Sequence, residues 1–145
     1  MPRGSAASVT AGLAYVGREY RVYSYMTVGF AARFYATLHD RWDPAALARA
    51  LAVAGLAERF DVGRMKRAYQ RTLVLAFALA ALPRVLVVEG AEEFDEPGAR
   101  ALLERAVADV PAAVVTYAPD ASIDRAWYTD VVAARDAVLA AVPAP

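Results

Sequence analysis

The order of apolar and polar positions predicts strands that alternate with helices. Short apolar runs bounded by glycine, proline or polar residues predict strands at 13–16, 85–88, 113–117 and 130–133. Apolar residues at helical spacing predict helices over 28–38, 44–55, 63–81, 97–108 and 123–127, with a last helix ending at 142–143. This alternation predicts an α/β fold with a mostly parallel sheet, helices on both faces and right-handed crossovers.

The longest helical stretch predicts an insertion into the α/β core. Thr27 can cap a helix in which Phe30, Phe34 and Leu38 share one face. Asp43-Pro44 is a second helix start, because a side-chain acceptor precedes a proline at the first helical position. We therefore expect one domain over 13–145, with a helical subdomain at about 27–82 and a flexible leader over 1–12.

Composition narrows the classes of function. The chain of 145 residues has 16 basic and 16 acidic side chains, so net charge gives no case for nucleic-acid binding. It has no cysteine, which excludes disulfides and thiolate metal sites. No apolar run reaches the roughly 18 residues that a membrane span needs. Since the first residues also lack an apolar signal core, we expect a cytoplasmic protein.

The segment 83–97 is the most informative part of the chain. It predicts a buried strand that runs into an acidic loop and then a helix that starts at Pro97. In P-loop nucleotidases a carboxylate at the carboxyl end of such a strand helps to hold Mg²⁺, and Glu89 occupies that place. Glu89 is thus either a weak Mg²⁺ ligand or, as we favour, a solvated acid at a strand end. The next position, where hydrolysis needs a water-activating acid, is Gly90.

Four local motifs, taken in order, resemble the ATP-binding subunit of an exporter-type ABC transporter that lacks its first third. The segments 13–19 and 23–28 resemble the Q-loop strand and the opening of the helical subdomain, and 34–35 with 41–43 continue it. The segment 65–83 lies where the signature loop and its helix belong. The segments 85–95 and 114–120 resemble the Walker B strand with the D-loop and the switch region. The resemblance implies a partial P-loop ATPase fold that binds Mg-ATP and docks on a permease.

The positions that carry the family's chemistry depart from its pattern. The phosphate-binding motif GxxxxGK[ST] is absent from the whole chain. Asp95 keeps the family's D-loop residue. The departures are Arg18 for the Q-loop glutamine, Lys66 and Ala68 for the signature serine and glycine, Glu89 for the Mg²⁺ aspartate, Gly90 for the catalytic glutamate and Ala118 for the switch histidine. Because phosphoryl transfer depends on positioning and charge neutralisation, we expect no catalytic residue and no bound cofactor.

These observations predict a degenerate, non-catalytic subunit that acts through protein partners. The partner would be a permease or a second ATPase subunit, and the chain would meet the membrane only through the permease. A homo-oligomer is also expected, because missing first strands would expose a sheet edge. Two alternatives stay open: a working ATPase whose P-loop half is supplied elsewhere, and a stand-alone α/β binding domain.

Four further groups of residues allow both a structural and a functional interpretation. The acidic cluster at 92–96 could attract a cation or a basic partner, although a solvated loop is favoured. Basic residues at 64, 66, 67 and 71 could bind phosphate at a helix start, although a solvated face is favoured. His39 has no second ligand residue nearby, so it is assigned no site. The aromatic residues between Tyr15 and Tyr35 are expected mostly in the core, with an exposed partner surface as the alternative.

Overall fold

A computed structural model describes residues 12–18 and 22–116 of the chain. Its three strands are β1 (Leu13–Val16), β2 (Val85–Val88) and β3 (Ala112–Val115). Its four α-helices are α1 (Val28–Ala36), α2 (Pro44–Ala54), α3 (Arg67–Ala80) and α4 (Pro97–Asp109), and short 3-10 turns cover Val62–Arg64 and Ala91–Glu93. The elements predicted at 123–127 and 130–133, the last helix that ends at 142–143, the leader at 1–11 and the switch position Ala118 lie outside the described residues.

The helix starts follow the local capping chemistry. The Thr27 hydroxyl accepts a hydrogen bond from the Phe30 backbone N–H at 3.2 Å, and the Asp43 carboxylate accepts one from Ala45 at 2.9 Å. Gly55 ends α2 in the left-handed region, at φ 73°, where glycine carries no Cβ penalty. The predicted helix at 63–81 starts later, at Arg67, because Met65 and Lys66 are extended behind a 3-10 turn.

The sheet is parallel and has the order β1-β2-β3. In its register Val88 of β2 pairs with Val16 of β1 and with Val115 of β3. The predicted strand at 85–88 is therefore confirmed, and it lies at the centre of the sheet between β1 and β3. The broader prediction of an α/β fold with a parallel sheet is confirmed with it.

Helices cover one face of this sheet within the described ranges. Helix α3 contacts β1 and α4 contacts β3. Both connections join neighbouring parallel strands in the same direction, and the right-handed crossovers that such connections favour would place both helices on one face. The covered face consists of buried residues, namely Ala14, Val16, Leu86, Val88, Ala113 and Val115. On the other face Tyr15 is exposed and Val85, Val87 and Val114 are half-buried. The predicted cover on both faces is thus found on one of them in the part of the chain that is described.

Helix α3 forms the centre of the core. It packs against α2, α4 and β1, and Leu73, Leu75 and Phe77 are almost fully buried along it. Tyr35 of α1 stacks on Phe77 with ring centroids 4.8 Å apart. No described helix is long and apolar enough to cross a membrane.

Shortening valine side chains of the central strand should cost different amounts of stability on the two faces of the sheet. Val88 is fully buried, so Val88→Ala is expected to lower the free energy of unfolding by about 2 kcal/mol through lost transfer energy and a residual cavity. Val87 points to the half-buried face, and Val87→Ala should cost less than half as much. Chemical denaturation of both variants measures the difference. Equal losses would mean that the two faces are equally covered in solution.

Candidate functional site

Arg71 organises the carboxyl end of the sheet. Its side chain extends from α3 and is 1% exposed. It donates hydrogen bonds to the backbone carbonyls of Gly17 at 3.3 Å, of Gly90 at 2.9 Å and of Glu89. One side chain therefore joins the loops that follow β1 and β2 to the central helix.

The remaining contacts of Arg71 are with residues of the acidic loop. Its Nη1 lies 3.0 Å from the Glu93 carboxylate, and its guanidinium lies over the Phe94 ring at 4.8 Å from the centroid. Burial disfavours the cation and lowers the pKa of Arg71, and Glu93 opposes that shift. The Nε atom is buried without a hydrogen-bond partner in the described structure.

The acidic and basic clusters pair with each other. Arg18 lies 2.6 Å from Glu92, Arg67 lies 3.6 Å from Glu93 and Lys66 lies 2.9 Å from Glu96. These hydrogen-bonded carboxylates raise the pKa of Arg18 and of Lys66 by favouring their charged forms. Lys66 and Arg67 are 72% and 50% exposed, which agrees with the favoured interpretation of a solvated face. Their charges are paired with carboxylates of the acidic loop, so neither cluster is a free site for a cation or a phosphate.

Two of the predicted site residues lie outside this pairing. Asp95 is exposed and makes none of these ion pairs. Glu89 accepts a hydrogen bond from the Tyr15 hydroxyl, and this bond is the main cause that raises the pKa of Tyr15. Among the described residues no group of three or more His, Asp or Glu side chains could hold a metal ion. The described residues therefore offer no further ligands for a magnesium ion at Glu89, and the magnesium role of Glu89 stays a prediction.

Arg18 lies against position 90, which is where the sequence resemblance would place a catalytic glutamate. Gly90 has φ 65°, in the left-handed region that disfavours side chains. A Cβ added there would lie 2.6 Å from the Arg18 Nη1 atom. Any side chain at position 90 would therefore have to displace Arg18 as well as accept a strained backbone.

The sequence interpretation missed the role of Arg71. It grouped this residue with the polar first turns of the helix. A signal was available, because Arg71 lies at helical spacing between Ala68 and Leu75, which are both buried. An arginine on the buried face of a helix must find acceptors in the core, and here backbone carbonyls supply them.

The aromatic residues correct a second expectation. Six of the aromatic residues between Tyr15 and Tyr35 are described, and Tyr20 lies outside the described residues. Of these six only Tyr35 is buried, so the expectation of mostly core packing is wrong. Tyr25 is 78% exposed and stacks on Tyr23 with ring centroids 5.6 Å apart. The exposed large apolar residues of this segment, here called the aromatic surface, are Tyr23, Tyr25, Phe30, Phe34 and Leu38.

Helix α1 explains why the aromatic surface faces outward. Its buried side is built mainly from small residues, with Gly29, Ala31 and Ala32 packed inward. Phe30 is 51% exposed and Leu38, just beyond the helix, is 50% exposed. The spacing that predicted the helix is correct, but the large residues lie on the side away from the core.

His39 has a local structural role. Its Nδ1 lies 2.8 Å from the Tyr35 carbonyl oxygen, and its ring packs against Trp42 with centroids 5.5 Å apart. These contacts hold the turn that follows α1.

A scan of known protein families finds no match to this chain, and a search of curated proteins finds none either. The resemblance to ABC ATP-binding subunits therefore stays a prediction that depends on the local motifs and their order.

Purified protein is expected to release phosphate from Mg-ATP at less than about 0.1 s⁻¹, below the range of typical enzymes. The missing P-loop and the residues at 18, 89 and 90 remove the groups that position and neutralise a transferred phosphoryl group. A phosphate-release assay with and without Mg²⁺ measures the rate. Gly90→Glu is the matched variant, and it should not raise the rate because Arg18 and the backbone oppose it. Faster Mg²⁺-dependent turnover of the wild type would contradict this prediction.

Proposed function

We propose that this chain is a non-catalytic, protein-binding α/β protein that docks on its partner through the aromatic surface. The observation that carries the proposal is the outward placement of Phe30 and Phe34 on a helix that buries small residues instead. Large aromatic side chains dominate binding energy when an interface desolvates them. A helix that exposes them in the free chain is suited to bury them in a complex.

The surroundings of the aromatic surface support an interface. Backbone hydrogen bonds join Val28 to Phe60 and Gly29 to Glu58, each at 2.9 Å, and fix the start of α1. Arg33 lies over the Phe30 ring and Arg59 lies over the Phe60 ring, at 6.0 and 5.3 Å from the centroids. Aromatic residues with arginine are the composition enriched at interface centres. A fixed backbone also reduces the ordering entropy that binding would cost.

The partner class follows from the resemblance and belongs to this proposal. A degenerate ABC-type subunit would bind a permease or an intact ATPase subunit, and it would reach the membrane through the permease. The order of strands around a helical segment supports this identity, and the closed Gly90 position supports a role other than hydrolysis. Co-purification with the product of an adjacent permease gene tests it. A pair that stays separate at micromolar concentration would remove the permease from the proposal.

The chain alone is expected to self-associate at micromolar concentration. Its aromatic surface is apolar and its net charge is zero, so little opposes contact between copies. Sedimentation velocity should give an apparent mass above 15.5 kDa. The double variant Phe30→Ser/Phe34→Ser should weaken association by at least about tenfold, which is the effect of losing one or two hot-spot side chains.

Val53→Ser is the matched control for that double variant. It removes a partly exposed apolar side chain from α2, a different helix, and it should leave association unchanged. If the wild type sediments as a monomer, self-association is excluded. If the double variant associates as strongly as the wild type, the aromatic surface is not the interface.

A further inference from the structure

The outer side of α1 forms a stripe that runs along the helix and just beyond it. Phe30, Phe34 and Leu38 follow one another at helical spacing, and each is exposed. Arg33 and Thr37 lie between them and are exposed as well. Residues at this spacing share one face of a helix, which is the arrangement that packs along a second helix. The aromatic surface therefore has the form of a helix face that can receive another helix.

Charges of opposite sign lie at the two ends of this helix. Arg33 is in its last turn. Glu58 lies beside its first turn, since a Cβ added at Gly29 would be 3.6 Å from the Glu58 carboxylate, and the Gly29 backbone N–H donates to the Glu58 carbonyl at 2.9 Å. Both charged side chains are exposed, and neither forms an ion pair with another described residue. The helix thus offers a positive charge at one end and a negative charge at the other.

This arrangement of charged and aromatic residues is complementary to itself. When two copies pack α1 against α1 in opposite directions about a two-fold axis, the first turn of each helix meets the last turn of the other. Phe30 then lies against Phe34 of the second copy, and Arg33 lies opposite Glu58, twice in each dimer. The opposite ends of the two helix dipoles also meet. A parallel arrangement would instead bring the two copies of Arg33 together, and like charges in contact are costly.

The size of the aromatic surface suits a weak dimer. Tyr23 and Tyr25 precede α1 and extend the stripe, because both are exposed. The aromatic surface offers roughly 500 Å² of exposed side chain, taking ~200 Å² for one large side chain. Standard interfaces take about 800 Å² from each partner, and weak, transient ones take less. Association in the micromolar range is therefore the expectation.

We propose that a second copy of this chain shields the aromatic surface in a two-fold dimer, in which α1 packs antiparallel to its symmetry mate and Arg33 pairs with Glu58 across the interface. The inference rests on the proposed function, since the same surface docks on the partner protein. The dimer and the complex with the partner are then mutually exclusive. Self-association holds the docking surface covered until the partner displaces the second copy, and mass action sets the balance between the two complexes.

Charge reversal in the full chain, followed by sedimentation equilibrium, tests this pairing. The wild type should reach a limiting mass of twice 15.5 kDa, because an isologous contact closes at two copies. Arg33→Glu and Glu58→Arg each place like charges opposite each other twice, so each should weaken dimerisation at least about tenfold. An equimolar mixture of the two variants restores both opposite-charge contacts in the heterodimer. Its dissociation constant should return to within about threefold of the wild-type value.

Arg84→Glu is the matched control. It makes the same change of net charge as Arg33→Glu at an exposed position before β2, and it should leave dimerisation unchanged. A wild type that stays monomeric or assembles beyond two copies would overturn the proposal, as would a mixture that associates no better than either variant alone. None of these results removes the complex with the partner, for which co-purification with the permease product is the separate test.

Discussion

Arg71→Met is expected to lower the free energy of unfolding by about 3–5 kcal/mol, the range for breaking a buried charged contact on one side. Methionine preserves much of the volume but donates no hydrogen bond, so the carbonyls of Gly17, Glu89 and Gly90 lose a donor. The Glu93 carboxylate is 29% exposed and can return to water. The main loss is therefore the donor to the Gly17 and Glu89 carbonyls, since the Gly90 carbonyl still accepts a hydrogen bond from the Glu93 backbone N–H at 3.0 Å.

Arg67→Met is the matched control. Arg67 also pairs with Glu93, but it is 50% exposed and 3.6 Å away, so its loss should cost no more than about 1 kcal/mol. Arg71→Lys keeps the charge without the planar fork that reaches several carbonyls, and it should fall between the two. Urea denaturation ranks the three variants by their free energy of unfolding. An Arg71→Met protein as stable as Arg67→Met would mean that the guanidinium does not hold the loops together.

Gly98→Ala is expected to cost about 3 kcal/mol, the upper part of the range for overpacking. Gly98 lies in the first turn of α4, and a Cβ there would be 2.3 Å from the Ala54 carbonyl oxygen at the end of α2. Both obstructing atoms that lie within 3 Å belong to the backbone, so relief requires the two helices to separate. This penalty outweighs the gain of about 1 kcal/mol that alanine brings to a helix interior.

Gly55→Ala separates crowding from conformational strain at the same junction. Nothing lies within 4 Å of a Cβ at Gly55, but its φ is 73°, so alanine there should cost about 1–2 kcal/mol through strain alone. Thermal denaturation of both variants compares the two effects. A Gly98→Ala protein that melts at or above the temperature of the wild type would show that α2 and α4 are farther apart in solution than a Cβ contact of 2.3 Å implies.

Local patterns predicted the elements of the described region. The run of valines and leucine at 85–88 and the cap residues Thr27 and Asp43 have local physical meaning, and they place β2, α1 and α2 correctly. The starting residue of α3 could not be read from spacing, since a 3-10 turn and two extended residues precede it.

Local sequence patterns could not predict the contacts between distant segments. Pairing of Arg18 with Glu92 and of Lys66 with Glu96 depends on which segments the topology brings together. The side of α1 that faces the core was also hidden, because both of its sides carry apolar residues and hydrophobicity alone favours the larger ones inside. The candidate surface became visible only once the small residues were placed in the core.

The strand pairing also has a consequence for how the chain folds. Leu13 of β1 pairs with Val85 of β2 across the entire helical segment, whereas Val85 pairs with Ala112 of β3 across one helix. Closing a longer loop has a larger entropic cost, by about 0.6 kcal/mol for each doubling of its length. The β2-α4-β3 unit is therefore expected to form first, and β1 to join it after the helices have condensed. During synthesis β1 leaves the ribosome long before its partner strand exists, so this apolar strand remains unpaired while the helices are synthesised.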